Sequence, residues 1–294
     1  MRVIKMLGFV GLFMGIWLMA QLIAAIVVAV PMLLVAVLQG QEPNIENLIV
    51  SGISWILILS SILATLLFWV VYMIRQKSFI KELKIRPLPR DAVVLSILAG
   101  LGISVALNGI INFIDIAKYF PQAYQELAEM FASSDLFSLL LAVGIIVPIF
   151  EELMFRGLIF NEMRRAMPPW LAIVLSGVVF GVAHMNPIQI MYTIPMGILL
   201  AILYYRTGSL WTPILIHIAW NICSVLFGLV IPHPSQGVFI LLIGIGLSVL
   251  VYTTWQLMGY RPAPDLLDEH ETLPPIQAPP AQAQPPVQPP NLVL

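Results

Sequence analysis

Eight apolar stretches dominate the sequence, and each approaches or reaches the roughly 20 residues that cross a bilayer as a helix. Their approximate bounds are 7–38, 48–74, 92–116, 136–160, 169–186, 188–204, 210–231 and 237–259. Charged residues make up only 10% of the 294-residue chain and hydrophobic residues 60%, whereas a soluble domain carries about 25% charged residues. The sequence therefore predicts an all-α integral membrane protein with a bundle of about eight transmembrane helices.

The distribution of basic residues predicts an orientation for these helices. Lys and Arg favour cytoplasmic loops, and a chain that starts inside and crosses eight times leaves only Lys118 of its 14 basic residues outside. The connections predicted to lie outside hold acidic residues: Glu42, Glu46, Glu126, Glu129 and Asp135. We therefore expect both termini in the cytoplasm and the protein in the cell membrane. The net charge of −1 offers no basic surface to a nucleic acid.

Two segments are not apolar enough to span a membrane. In 118–134, aromatic and aliphatic residues recur at near-helical spacing, which indicates a short amphipathic helix at the outer interface or, alternatively, a solvated loop. From Arg261 onward, Pro-Pro pairs recur among Gln, Ala and Val. Because such a segment cannot form a packed core, residues 261–294 are predicted to be a disordered, Pro-rich cytoplasmic tail.

The fourth stretch carries two carboxylates and a guanidinium, from Glu151, Glu152 and Arg156. Each charge costs roughly 2.5–3.5 kcal/mol at the centre of a membrane helix, so such residues usually face a bundle interior or a water-filled cavity. One interpretation is that Glu152 and Arg156, at i and i+4, only neutralise each other. That leaves Glu151 without a partner on its helix, and a buried carboxylate of this kind is a candidate general base.

Other polar residues lie at comparable depth in later stretches. His184 is near the end of the fifth stretch, and His217 and Asn221 share one face of the seventh. A single histidine in a helix is about as often a structural core residue as a functional one. At 1.5 Å per residue, however, these residues and Glu152 lie roughly 12–22 Å from the inner ends of their helices. The sequence therefore predicts that they meet in one buried polar site.

Gly177 and Gly181 form a small-xxx-small pair on the fifth stretch, and His184 continues the same face. Pairs of this kind let two helices approach closely. We therefore expect this face to pack against a neighbouring helix and to point the histidine toward it. Ordinary glycine packing beside an incidental histidine is the alternative.

Three short motifs follow one another in this part of the chain, each in its own membrane stretch. They are Glu151-Glu152-x-x-x-Arg156, Phe180-x-x-x-His184 and His217-x-x-x-Asn221. Together they resemble the signature motifs of the CPBP intramembrane proteases, the family of the CAAX prenyl proteases, the bacteriocin-processing enzymes and the Abi-like proteins. The resemblance covers roughly Leu136 to Leu229.

With this resemblance, the sequence divides into four predicted parts. Residues 1–117 hold transmembrane helices 1–3, and residues 118–135 hold the interfacial helix or loop. Residues 136–260 form the protease core with helices 4–8, and residues 261–294 form the tail. The first three helices and the tail lie outside the resemblance.

The resemblance implies hydrolysis of a peptide bond, which needs an activated water, a proton for the leaving amine and donors for the oxyanion. Glu151 is the predicted general base, with His184 holding and polarising the water. His217 and Asn221 are expected to donate hydrogen bonds to the oxyanion. Glu152 and Arg156 are expected to pair within their helix and to position Glu151.

The sequence predicts that no cofactor is required. It lacks a His-Glu-x-x-His pair, in which one helix turn arranges two metal ligands, and an asparagine beside His217 suits oxyanion binding better than metal ligation. Zinc is the alternative, because two histidines and a glutamate are a sufficient catalytic set. Its ligands would then be Glu151, His184 and His217.

The expected substrate is a peptide or protein at the membrane. A lipidated CAAX protein and a processed peptide are equally compatible with these residues. A transporter is the main alternative function, since intramembrane Glu, Arg and His also mark proton and ion paths, although the sequence shows no inverted repeat. A non-catalytic membrane immunity or partner protein is the other alternative.

Overall fold

The computed structural model describes residues 1–42, 44–230 and 235–260, without the side chains of 228–230. All regular elements in this part of the chain are helices. In chain order they are α1 (Arg2–Leu38), α2 (Ile45–Ser51), α3 (Ile53–Ile74), α4 (Phe79–Leu83), α5 (Arg90–Phe113), α6 (Ile116–Tyr119), α7 (Pro121–Ala132), α8 (Leu136–Ala166), α9 (Pro169–Val182), α10 (Pro187–Thr207), α11 (Trp211–Val230) and α12 (Gln236–Met258). The predicted Pro-rich tail lies outside the described residues.

Six of these helices are long and apolar enough to cross a membrane: α1, α3, α5, α8, α10 and α12. The protein is thus an all-α, multi-pass integral membrane protein, as predicted. Helix α9 has only 14 residues, or about 21 Å at 1.5 Å per residue, which is short of a hydrocarbon core of about 30 Å. The part of α11 whose side chains the structure describes, Trp211–Phe227, is also shorter than a typical membrane span. The number of spans and the orientation of the termini stay predictions.

Helix α8 lies at the centre of the bundle and contacts α1, α3, α9 and α11. All residues from 152 to 163 are buried. Two π-helical segments, Leu140–Ile146 and Leu153–Phe160, flank the short α-helical segment Val147–Glu152 that carries the paired glutamates. Such π-helical turns inside α-helices frequently mark functional sites. Because this part of the helix is surrounded, its charged residues Glu152 and Arg156 lie inside the protein.

Helices α9 and α10 form a tight hairpin, and the glycines of α9 make it possible. A Cβ atom at Gly177 would lie 2.7 Å from the backbone nitrogen of Ile198, and one at Gly181 would lie 2.9 Å from that of Ile194. Both distances are shorter than real Cβ contacts. The prediction that this glycine pair packs on a neighbouring helix is therefore confirmed.

The fifth apolar stretch ends as a helix earlier than its predicted bound of 186. Helix α9 stops at Val182, so His184 lies in the turn that leads into α10 and not within a helix. Asn186 is the N-cap of α10 and Pro187 its first residue. A residue before proline is disfavoured in the α region, which separates the two helices at this point.

Two hydrophobic clusters meet around the centre of the bundle. The first joins α1, α3, α8 and α9, and includes Phe68, Phe150 and Phe180. The second joins α5, α10, α11 and α12, and includes Leu200 and Trp220. The polar residues of α8 and α11 lie along the seam between the clusters, where side chains from both surround them.

The segment between α5 and α8 forms the short helices α6 and α7. Ala123 of α7 and Ile116 of α6 pack on Ile188 at the start of α10, so this segment covers the α9–α10 turn. Asp135 then caps α8, because its carboxylate accepts from Ser138 N at 3.0 Å and from the Ser138 hydroxyl at 2.6 Å. These hydrogen bonds from Ser138 lower the pKa of Asp135. The location of α7 at a membrane interface stays a prediction.

Candidate active site

Two helices and a turn bring Glu151, His184 and His217 together. Glu151 is on α8, His184 is in the α9–α10 turn, and His217 is on α11. The Nε2 atom of His217 lies 3.6 Å from one carboxylate oxygen of Glu151, and Nε2 of His184 lies 4.0 Å from the other. One imidazole thus faces each oxygen of the carboxylate.

The proton position on His184 follows from its backbone contact. Its Nδ1 lies 2.9 Å from the carbonyl oxygen of Phe180. Because a carbonyl only accepts hydrogen bonds, Nδ1 carries a proton. In the neutral imidazole, Nε2 is then an acceptor that points toward Glu151. The Phe180 ring packs edge-on against the imidazole, with centroids 5.0 Å apart, and holds its plane.

His217 is held on three sides and is only 2% exposed. Its Nδ1 donates to Glu152 Oε1 over 2.8 Å, which leaves Nε2 directed at Glu151. Trp220 stacks on the imidazole, with centroids 5.3 Å apart and planes 22° from parallel. Phe180 lies edge-on at 5.9 Å on another side. The ring therefore has little freedom to turn away.

Glu152 and Arg156 form the in-helix ion pair that the sequence predicts, at 2.9 Å with both side chains fully buried. Arg156 also donates to the carbonyl oxygen of Gly197 on α10 at 3.1 Å, and its guanidinium lies 4.3 Å from the centre of the Phe180 ring. The pair thus links α8 to α9, α10 and α11. The two charges of the pair neutralise each other, and the contacts of the pair with the other helices orient the site.

The contact between Glu152 and His217 is the part of the site that sequence reasoning missed. The spacing on α8 identifies Arg156 as the partner of Glu152, but the bond to His217 joins residues 65 positions apart. It depends on how α8 and α11 pack. Trp220, three residues after His217, was the available signal that this histidine is enclosed.

Asn221 lies one turn beyond His217 and donates its amide to the Val143 carbonyl oxygen at 2.9 Å. Val143 is in the π-helical segment Leu140–Ile146, in which a carbonyl is normally paired with the N–H five residues later. That position is Pro148, which has no N–H. Asn221 supplies the missing donor and anchors α11 on α8. Its amide has a second N–H, and its role as an oxyanion donor stays a prediction.

The side chains of the site differ in how much of their surface is exposed. The side chains of Glu151 and His184 keep 13% and 16% of their surface exposed, whereas that of His217 keeps 3%. The glutamate and His184 therefore border the open part of the site, and His217 forms its back wall.

Among the residues that the structure describes, no three His, Cys, Asp or Glu side chains are grouped so that they could hold a metal ion. The zinc alternative requires Glu151, His184 and His217 as ligands, and the Nε2 atoms of the two histidines lie 4.0 and 3.6 Å from the Glu151 oxygens. That the protein requires no metal ion stays a prediction.

A polar acid–base site buried in a membrane bundle is what a membrane-embedded hydrolase requires, and comparison with known proteins supports this class over a transporter. Residues 133–223 match the family described as type II CAAX prenyl endopeptidase Rce1-like. This range includes all three motifs. Over these residues the chain is similar to the CAAX-type intramembrane proteases, the family that its motifs resemble, and the match supports a membrane protease.

A curated relative in Bacillus subtilis (strain 168) supports the same assignment. The protein is YdiL, whose name describes it as a candidate membrane peptidase. The two chains are 28% identical over 201 residues, which cover 66% of this chain and 79% of YdiL. No solved structure gives a significant match.

Proposed function

We propose that this protein is an endopeptidase in which Glu151 and His184 activate a water molecule for attack on a peptide bond of a membrane-associated substrate. The main support is the surroundings of the Glu151 carboxylate. An imidazole Nε2 atom faces each of its oxygens, at 4.0 and 3.6 Å. These separations exceed a direct hydrogen bond. They suit groups that share a bridging water.

In the first step, the water lies between Glu151 and His184. One of its protons points to the carboxylate and the other to His184 Nε2, which is an acceptor because Nδ1 donates to Phe180. Glu151 takes the proton as the water oxygen forms a bond to the substrate carbonyl carbon. The C–N bond then breaks, and the proton passes from Glu151 to the leaving amine. Atoms and charge balance over the two steps.

His217 is proposed to stabilise the oxyanion in its doubly protonated form. Since Nδ1 donates to Glu152, Nε2 can donate only if it carries a second proton. The positive charges of Arg156 and protonated His217 then balance the two carboxylates of Glu151 and Glu152, so the buried site is neutral overall. A buried site with balanced charge avoids the large desolvation cost of an unpaired ion. Asn221 is the second proposed donor.

The proposed substrates are peptides or proteins at the membrane, and lipidated C-terminal sequences are the first class to test. The support is the name of the matching family, which describes endopeptidases of prenylated CAAX sequences. Processed peptides without a lipid are the second class. We also propose that the protein lies in the cell membrane with both chain termini in the cytoplasm.

The test is proteolysis of paired peptides by purified protein in detergent. Each peptide is offered with and without a C-terminal prenyl group, to wild type, Glu151→Gln and Glu129→Gln. Glu129 is an exposed glutamate on α7 that pairs only with Gln125 among the described side chains, so it controls for loss of one carboxylate. We expect cleavage by wild type and Glu129→Gln and none by Glu151→Gln. Equal cleavage by all three proteins would contradict the proposal.

A further inference from the structure

The α9–α10 turn, which carries His184, is built around an unusual backbone conformation. Met185 has φ of +53°, in the left-handed region that residues with a Cβ adopt at a cost. The Asn186 N–H donates to the His184 carbonyl oxygen at 2.7 Å, which closes a three-residue turn. Such strained residues persist only where the surrounding structure fixes them, and they occur frequently at active sites.

Asn186 is the residue that fixes this turn. Its side-chain oxygen accepts from the backbone nitrogens of Ile188 at 3.1 Å and Gln189 at 3.3 Å. Its side-chain amide donates to the carbonyl oxygen of Ala123 on α7 at 3.0 Å. The side chain is only 8% exposed. One residue therefore caps α10, joins it to α7 and closes the backbone turn that begins at His184.

Among the described residues, no hydrogen bond or ring contact joins the His184 side chain to α10. Its hydrogen bond and its ring contact are both to Phe180, on the preceding helix. The α9 helix ends two residues before His184, so its backbone position depends on the turn. A change in the turn would move the imidazole relative to Glu151, which is held separately on α8.

We propose that Asn186 is a positioning residue that sets the distance between His184 and Glu151 by capping α10 and holding the turn. The inference rests on the proposed function of His184. The described hydrogen bonds of the Asn186 side chain go to the backbone of Ala123, Ile188 and Gln189, and not to Glu151 or His184. Its effect is therefore on the rate of the chemical step, while substrate binding is left nearly unchanged.

The test compares Asn186→Ala with Asn186→Asp and with Asn44→Ala. Asp keeps an oxygen to cap α10 but cannot donate to Ala123. Asn44 is a matched control, because its side chain caps the distant helix α2 by accepting from Asn47 N at 3.2 Å. If the alanine variant does not fold, Asn186→Gly replaces it, since glycine is nearly as well tolerated as asparagine at an N-cap.

For Asn186→Ala we expect kcat to fall by roughly 10- to 100-fold, the effect of a displacement of about 1 Å in a catalytic group. We expect KM to stay within about twofold, Asn186→Asp to recover most of kcat, and Asn44→Ala to behave as wild type. Unchanged kcat in Asn186→Ala, a loss confined to KM, or an equal loss in Asn186→Asp would overturn the inference.

Two further variants separate this inference from the function on which it rests. Glu151→Gln and His184→Ala are measured with the same substrate. If either keeps wild-type kcat, the proposed function fails whatever the result at position 186. If both are inactive and Asn186→Ala is fully active, only the role of Asn186 is wrong.

Discussion

Glu152 accepts a hydrogen bond from Nδ1 of His217 at 2.8 Å, and the same oxygen accepts from Arg156 at 2.9 Å. The second glutamate of the motif is thus not only the ion-pair partner of the arginine. It is the group that sets the tautomer and direction of His217. The two adjacent glutamates have different roles because successive residues on this helix point in different directions.

Replacing Glu152 with Gln should affect both stability and activity. The buried Arg156 loses its carboxylate partner, which costs roughly 3 kcal/mol when one member of a buried pair is removed. His217 loses the charge that holds it, and we expect kcat to fall by about 100-fold. Thermal unfolding and peptide cleavage measure the two effects. A variant with wild-type kcat and an unchanged unfolding temperature would show that this contact is not required.

The tight packing of α9 on α10 predicts a cost for adding one methyl group. Gly177→Ala places a Cβ atom 2.7 Å from the Ile198 nitrogen, so the helices must separate, and overpacking of this kind costs about 1–3 kcal/mol. Gly15→Ala is the control, because nothing lies within 4 Å of its added Cβ. We expect Gly177→Ala to lower the unfolding temperature and Gly15→Ala not to lower it. The same temperature for both variants would contradict this close packing.

Activity is expected to survive the removal of metal ions. Protein treated with strong chelators should keep its kcat, and elemental analysis should find no stoichiometric zinc. The physical reason is that Glu151 and His184 can activate water without a Lewis acid. Loss of activity on chelation and specific recovery with Zn²⁺ would reverse this expectation and make Glu151, His184 and His217 the ligands.

The sequence predicts the fold class and the convergence of the polar residues, because hydropathy and depth along a helix are local quantities. It therefore places the paired glutamates, His184 and His217 at comparable depth, and the structure brings Nε2 of each histidine within 4.0 Å of the Glu151 carboxylate. Contacts that depend on how helices rotate and cross are not local. The hydrogen bonds that His217 donates to Glu152 and that Asn221 donates to the Val143 carbonyl are of this second kind.

The hydropathy of the sequence also does not show where helices are interrupted. The stretch 48–74 is predicted as one helix, but it divides at Gly52 into α2 and α3. A Cβ atom at Gly52 would lie 2.7 Å from a side-chain carbon of Val28 on α1, so glycine is needed for the close approach of that helix. Neither this contact nor the early end of α9 changes the hydropathy from which the spans are predicted.

The claim that Glu151 and His184 act on one water is tested most directly by a double-mutant cycle on kcat. Glu151→Gln, His184→Ala and the double variant are compared with wild type, after thermal unfolding has shown that all are folded. Residues that act as a unit are strongly non-additive, so we expect the double variant to be no slower than the slower single variant. Losses that add in free energy, or wild-type kcat in either single variant, would contradict the account.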